Sequence, residues 1–176
     1  MRRKLTLLMS VFSLLPGCGA MPGWPGYIST SKSDFDGSTV IAVHPGHASG
    51  CCALGAAWNS RAPNEIQITA VAHGGYARLE SAAGLEFSVD GRVIRLDATR
   101  EPTQHDATPG TGAVVHRSSS KTYVMKRSDF DALIVAKTLK VRLNTDRGPM
   151  EGDLLRDAYG GSAIEGLRSF AAQLPR

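Results

Sequence analysis

The chain has 176 residues, 42% of them hydrophobic and 20% charged, with 20 basic and 16 acidic side chains and three cysteines. That length fits one domain with a single core. The basic excess sits largely in Arg2, Arg3 and Lys4, so a chain cut after residue 17 carries 17 basic and 16 acidic groups, too balanced for the basic footprint that nucleic acid requires.

Met1-Arg2-Arg3-Lys4 followed by the apolar run Leu5 to Leu15 has the layout of a secretory signal, a positive n-region and a short h-region. The run is about half of the roughly twenty residues needed to span a bilayer as a helix. Leu15-Pro16-Gly17-Cys18 resembles the lipobox of bacterial lipoproteins, with Leu three places before the Cys and a small residue just before it. Pro16 stands where members of that group usually carry a small or β-branched residue. The resemblance covers only the first twenty or so residues and implies cleavage ahead of Cys18, lipidation of its sulfur and an envelope location. Gly19, rather than Asp, after the Cys implies the outer membrane, with the domain in the periplasm or at the cell surface. Small residues at Cys18-Gly19-Ala20 also allow an ordinary cut after Ala20. The expected organisation is a signal over 1–17, a flexible tether over 18–36 and a β-rich domain over 37–176.

The tether GAMPGWPGYISTSKSDFD is rich in Pro, Gly and Ser and lacks periodicity, as a spacer between membrane and domain would. Its Trp24 and Tyr27 are expected to pack weakly on their own domain. Asp34-Phe35-Asp36-Gly37 opens like a calcium loop, but the remaining ligands and the closing Glu do not follow, so it reads as a turn.

Thr39 to His44 is β-branched and apolar, a central strand ended by a turn at His44-Pro45-Gly46. His44-Pro45-Gly46-His47-Ala48-Ser49-Gly50-Cys51-Cys52 brings two imidazoles and two thiols within nine residues. Such ligands suit zinc or copper(I). Adjacent cysteines match no zinc spacing, however, because neighbouring side chains on a strand point to opposite faces. The sequence therefore favours a turn over His44 to Gly50 followed by a strand that carries the two cysteines as small, mostly inert side chains, with a metal site on His44, His47, Cys51 and Cys52 as the alternative and a strained vicinal disulfide as a third reading. No cofactor is expected.

Glu65 to Val71 alternates as a half-buried strand. Leu85 to Val89 and Arg92 to Leu96 flank Asp90-Gly91, the signature of a type I′ hairpin. A two-residue loop sets the pairs Leu85 with Leu96, Glu86 with Arg95, Phe87 with Ile94 and Val89 with Arg92, which puts the apolar pairs on one face. Asp97 to Gly112 reads as a long exposed loop. Ala113 to His116 and Thr122 to Lys126 read as strands pairing around a polar turn at Arg117 to Lys121. His105 and His116 lie near Ser118-Ser119-Ser120, yet no strand, serine, helix elbow is present to make a serine nucleophilic.

Ser128 and Asp131 suggest a capping box for a helix near 128–137 with an apolar stripe of Phe130, Leu133 and Ile134, and Asp129 and Asp131 suit its dipole. Leu139 to Asn144 alternates as a strand, and after the turn Asp146 to Pro149 another runs to Leu154. Ser162 and Glu165 suggest a capping box for a C-terminal helix near 162–174 with Ile164, Leu167, Ala171 and Leu174 inward. Gly74-Gly75 and Gly160-Gly161 mark turns.

The fold expected is mainly β or α+β, an antiparallel β-sandwich-like domain with these two helices. The function expected is that of a non-enzymatic accessory lipoprotein binding another envelope protein through a sheet edge or the loop from Asp97 to Gly112. No constellation supports a hydrolase.

Overall fold

The computed structural model describes residues 24–111, 115–156 and 162–175. Cys18, the signal and lipobox, Ala113 and Gly160-Gly161 lie outside the described residues. Ten strands form two antiparallel sheets among the described residues. The larger contains β1 (Ile28–Lys32), β2 (Thr39–His47), β3 (Ala53–Asn59), β4 (Glu65–His73), β8 (Val115–Lys126) and β7 (Gln104–Pro109), in the order β1-β2-β3-β4-β8-β7. The smaller contains β5 (Leu85–Val89), β6 (Arg92–Leu96), β9 (Leu139–Thr145) and β10 (Gly148–Asp153), in the order β10-β9-β5-β6. Helices α1 (Arg127–Ile134) and α2 (Ala163–Ala171) complete the chain, giving the mainly β architecture with two short helices that the sequence suggests.

The alternating strands bury the faces their periodicity assigns. Ile66, Ile68, Ala70 and Ala72 of β4 and Leu139, Val141 and Leu143 of β9 enter one core with Phe87, Tyr123, Phe130 and Phe170. The hairpin β5–β6 has the expected register, Leu85 with Leu96, Glu86 with Arg95, Phe87 with Ile94 and Val89 with Arg92. Asp90 and Gly91 both have positive φ, 48° and 88°, as the tight turn demands. Helix α2 lies on β1, β2 and β3, and its Phe170 meets Phe130 of α1 edge-on at 5.7 Å. Its close approach needs Gly46, where a Cβ would stand 3.0 Å from the backbone of Ala163.

Four departures from the sequence reading have identifiable causes. Part of the expected 18–36 tether is folded: Ile28 to Lys32 is edge strand β1, registered from Ile28 opposite Val43 to Lys32 opposite Thr39. Its short polar side chains give no periodicity because it borrows its order from β2. The expected turn at His44-Pro45-Gly46 is instead a bulge between Val43 and Gly46 within β2; a bulge accommodates a proline that cannot donate to the ladder.

The expected loop from Asp97 to Gly112 contains β7, paired with β8 from Gln104 opposite Ser120 to Pro109 opposite Val115. All six of its residues are exposed, so no buried face marks it in the sequence. The expected hairpin around Arg117 to Lys121 is one continuous strand, the 12-residue β8. That polar stretch faces partly inward, with Ser119 and Lys121 buried beside Tyr123.

What meets those inward polar groups is the segment 76–84, which bridges the two sheets with Ala77, Leu79 and Gly84 buried and Tyr76, Arg78, Glu80, Ser81 and Ala82 exposed. Ala77 N–H donates to Ser119 Oγ at 2.9 Å, Lys121 Nζ donates to Ser81 Oγ at 2.8 Å, and Tyr123 donates its hydroxyl hydrogen to Glu80 O at 3.0 Å. On its other side Glu80 N–H donates to Asn144 O at 3.0 Å, and Asn144 Nδ2 donates to Ala83 O at 2.7 Å. Gly84 is required here, since a Cβ would run into Glu80 O.

The ends of both outer strands of the smaller sheet are also tied outside it, beyond β6 to β8 and at β10 to the β2–β3 connection. Beyond β6, Thr99 N–H donates to Thr122 O at 2.9 Å and Val124 N–H donates to Asp97 O at 3.2 Å. At β10, Asp153 N–H donates to Ser49 O at 3.1 Å.

Ser162 stands at the N-cap of α2 as expected, although α2 ends at Ala171, short of 174, and the start of α1 differs from the capping-box reading. Neither helix has a side-chain cap hydrogen bond; Ser128 lies inside α1, and Asp131 pairs with Arg127 at 3.0 Å instead. Helix α1 ends at Ile134, short of 137, because the Asp90 carboxylate accepts the N–H groups of Lys137 at 2.9 Å and Thr138 at 2.7 Å. One aspartate thus shapes a hairpin turn and fixes the path into β9.

Replacing Ser119 by Ala would leave Ala77 N–H unpaired in the interior and lower stability by about 1 to 3 kcal/mol. Urea unfolding measures it, and an unchanged midpoint would contradict the role given to this hydroxyl. The hydrogen bonds from Thr138 and Lys137 hold Asp90 below its ordinary value of 3.8, and those from Ser38 hold Asp36 down at about 2. Stability from both is complete above pH about 4 and lost as pH falls, that of Asp36 through about 2 and that of Asp90 below its ordinary value. Asp90→Asn should flatten that acid limb in a series of unfolding curves; an identical slope would rule the Asp90 contacts out as its source.

Candidate functional site

The segment His44 to Cys52 sends its potential ligands to three different neighbours. The exposed His44 lies against Tyr27, just before β1, with ring centroids 5.8 Å apart. His47 turns to His73 at the end of β4, at 5.6 Å. Cys51 and Cys52 occupy the turn before β3, where Cys51 Sγ lies 3.3 Å from Met150 O of β10. No three His, Cys, Asp or Glu side chains are grouped to hold a metal ion among the described residues, so the four-ligand set His44, His47, Cys51 and Cys52 is not assembled. The expected strand at the two cysteines begins only at Ala53, so they lie in the turn and escape its alternation: Cys52 is buried, Cys51 half-buried, and their Sγ atoms are 2.7 Å apart.

His47 instead belongs to an imidazole-bearing end of the larger sheet. Beside it, His73, Gly74, Gly75, Val115, His116 and Arg117 line a cleft of about 450 Å³. The Arg117 guanidinium sits 5.5 Å from the centroid of Tyr76, within reach of a cation–π attraction. His105 of β7 packs on Tyr76 at 5.1 Å and forms a hydrogen bond through Nδ1 to Ser119 Oγ at 2.9 Å. Burial, reinforced by the neighbouring His47, lowers the pKa of His73 below its ordinary 6.5. Sequence reading passed over His73, Tyr76 and Arg117 because their proximity is made by β4 lying beside β8. The visible signal was a histidine ending an alternating strand just before Gly74-Gly75.

A second groove, of about 460 Å³, crosses the outer face of the smaller sheet, with Glu86, Lys140, Arg142, Glu151, Asp153 and Arg156 in its lining. Its charges largely answer one another: Arg142 pairs with Glu151 at 2.7 Å and with Glu86 at 3.7 Å, and Arg95 with Glu86 at 3.6 Å. Such half-exposed pairs are screened by salt and contribute little to stability.

Two hydroxyl-and-base contacts invite a catalytic reading, Ser119 with His105 and Ser81 with Lys121. Both are explained by structure. Ser119 is fully buried and already accepts from Ala77 N–H, which leaves no approach for a substrate carbonyl. Lys121 is itself the donor to Ser81, and neither of these residues lines the two clefts described. Asp129 and Asp131 are spent on Arg92 and Arg127, each at 3.0 Å. Asp36 caps its own turn by accepting Ser38 N–H at 2.8 Å, as the turn reading of Asp34 to Gly37 requires.

An NMR titration should place the His73 imidazole below 6.5 and move it upward in His47→Gln, as the neighbouring charge is removed. Because the unfolded chain takes the proton more readily than folded His73, this group removes stability as pH falls below 6.5. No movement in the variant would show that the two rings do not share a field.

Among known proteins, no family model, no curated protein and no solved structure matches this chain.

Proposed function

We propose that the chain is a non-enzymatic lipoprotein of the bacterial outer membrane, anchored through a lipidated Cys18, whose β domain binds another envelope protein along edge strand β7. The lipobox resemblance of Leu15, Gly17 and Cys18 supports the anchor. No helix among the described residues is long and apolar enough to cross a membrane, which is compatible with attachment by lipid.

The observation that carries the binding reading is the state of the sheet edges. The chain just beyond β6, at Asp97–Thr99, is hydrogen-bonded to β8, and the last residue of β10 to Ser49 in the β2–β3 connection. The larger sheet has two edge strands, β1 and β7; all six residues of β7 are exposed, whereas Ile28 and Ser29 of β1 are half-buried. An exposed strand edge is a template for pairing with another chain, and proteins that do not use one blunt it. Pro109 and Asp106 blunt this one only in part. The sheet edge and the loop from Asp97 to Gly112, two separate binding elements in the sequence reading, here overlap in one surface. Near the anchor, Trp24 is 61% exposed, while Tyr27 packs on His44.

Full-length protein produced in a bacterium should fractionate with membranes and carry a lipid-sized mass on a chain beginning at Cys18. Cys18→Ser should release it to the soluble fraction, and a wild-type chain beginning after Ala20 would refute the anchor. A photo-crosslinking residue at Thr108 should give a discrete adduct that the same residue at Ser31 on β1 does not. Equal labelling from both positions, or from neither, would refute binding along β7.

A further inference from the structure

We infer that Cys51 and Cys52 form a thiol–disulfide exchange site, closing to a vicinal disulfide when a low-molecular-weight or protein disulfide is offered. This goes beyond the proposed binding role and does not depend on the anchor.

Adjacent side chains on a regular strand point to opposite faces, which holds the sulfurs of neighbouring cysteines apart. Here the turn Ala48 to Cys52 breaks that geometry. Ala48 N–H donates to Cys52 O at 2.8 Å and Cys51 N–H donates to Ala48 O at 3.3 Å, so the backbone coils back just before β3. Both thiols fall on one side, with Sγ atoms 2.7 Å apart. A disulfide bond is about 2.05 Å long, so closure needs less than an ångström of movement. Gly152 of β10 holds the turn in place, since a Cβ there would lie 2.7 Å from Cys51 Cβ.

The two sulfurs differ in access. Cys51 is half-buried and meets the reagent; Cys52 is 3% exposed. Cys51, as thiolate, attacks one sulfur of the disulfide RS–SR, forming the Cys51–SR bond and releasing RS⁻, which takes up the proton Cys51 gave to solvent. Cys52 then loses its proton to solvent and attacks Cys51 Sγ, expelling the second RS⁻, which is protonated in turn. Two thiols are oxidised by two electrons and RS–SR is reduced to two RSH. The neighbouring Cys51 sulfur and burial raise the pKa of Cys52, so the second step should quicken with rising pH. An eight-membered ring is strained and therefore readily reduced. Closure also removes the thiol hydrogen that Cys51 directs at Met150 O. The bond would lock a turn whose Ser49 and Gly50 form one wall of the groove on the smaller sheet.

The test treats the full-length, folded, reduced protein with oxidised glutathione, then alkylates it in denaturant and maps the tryptic peptide 33–61, which holds Cys51 and Cys52 but not Cys18. The expected peptide is lighter by two hydrogen atoms than the reduced form, unalkylated and free of glutathione, and reduced glutathione restores both thiols. Cys52→Ser, with its fold checked by circular dichroism, should instead retain one glutathione on Cys51. A wild-type peptide that stays doubly alkylatable, retains glutathione at Cys51, or is joined to a second chain would overturn the inference.

Discussion

The structure depends on how the inward polar tips of β8 are answered. A strand carrying Ser119, Lys121 and Tyr123 toward a core is unfavourable unless each group finds a partner, because an unpaired polar atom in the interior costs more than a made hydrogen bond gains. Segment 76–84 supplies those partners and is itself ordered by them. Its backbone groups are taken up in turn by Ser119, Thr103, Asp146, Asn144 and Asp97, so a stretch outside the named strands, with Ala77, Leu79 and Gly84 buried and Arg78, Glu80 and Ser81 exposed, joins the two sheets with its polar groups paired. Burial keeps the Tyr123 hydroxyl protonated by pushing its pKa upward, which preserves it as the donor to Glu80 O at any physiological pH. The strap ties β8 of one sheet to β9 of the other, and the two sheets share one core as a result.

Legibility in the sequence followed burial. Where one face is apolar and the other polar, as in β4, β5, β6 and β9, periodicity gave the strand, and at β5–β6 the Asp90-Gly91 turn gave the register as well. Where an edge strand has no buried face, as in β7, or borrows its order from a neighbour, as in β1, nothing distinguishes it from a loop. The polar half of β8 misled for the opposite reason: its inward residues are hydrophilic because their partners come from a segment some forty positions away, as Ala77 is from Ser119 with a separation of 42. The candidate site was legible only in composition. The histidines and cysteines near residue 50 were visible, but a bulge in place of a turn directs them toward Tyr27, His73 and Met150 separately, and the cleft beside His73 depends on the β4–β8 pairing.

These features also bear on how the domain would meet a partner. The ties beyond β6 and at the end of β10 cover part of the smaller sheet's edges. The edge on β7 adjoins the imidazole-bearing end, since His105 of β7 packs against Tyr76 and bonds to Ser119. A partner strand laid along β7 would therefore contact residues coupled, through Ser119, to the strap. An anchor at Cys18 would be followed by only nine residues before β1 begins at Ile28, which would hold the larger sheet close to the membrane surface.

The central claim, that segment 76–84 is an ordered tie between the sheets, is tested most directly by native-state amide hydrogen exchange. The account predicts that the N–H groups of Ala77, Leu79 and Glu80 exchange as slowly as those of β4 and β8, opening only with global unfolding. Exchange of these amides at the rate of an open loop, while β4 and β8 remain protected, would show that the sheets hold together without the strap and would contradict it.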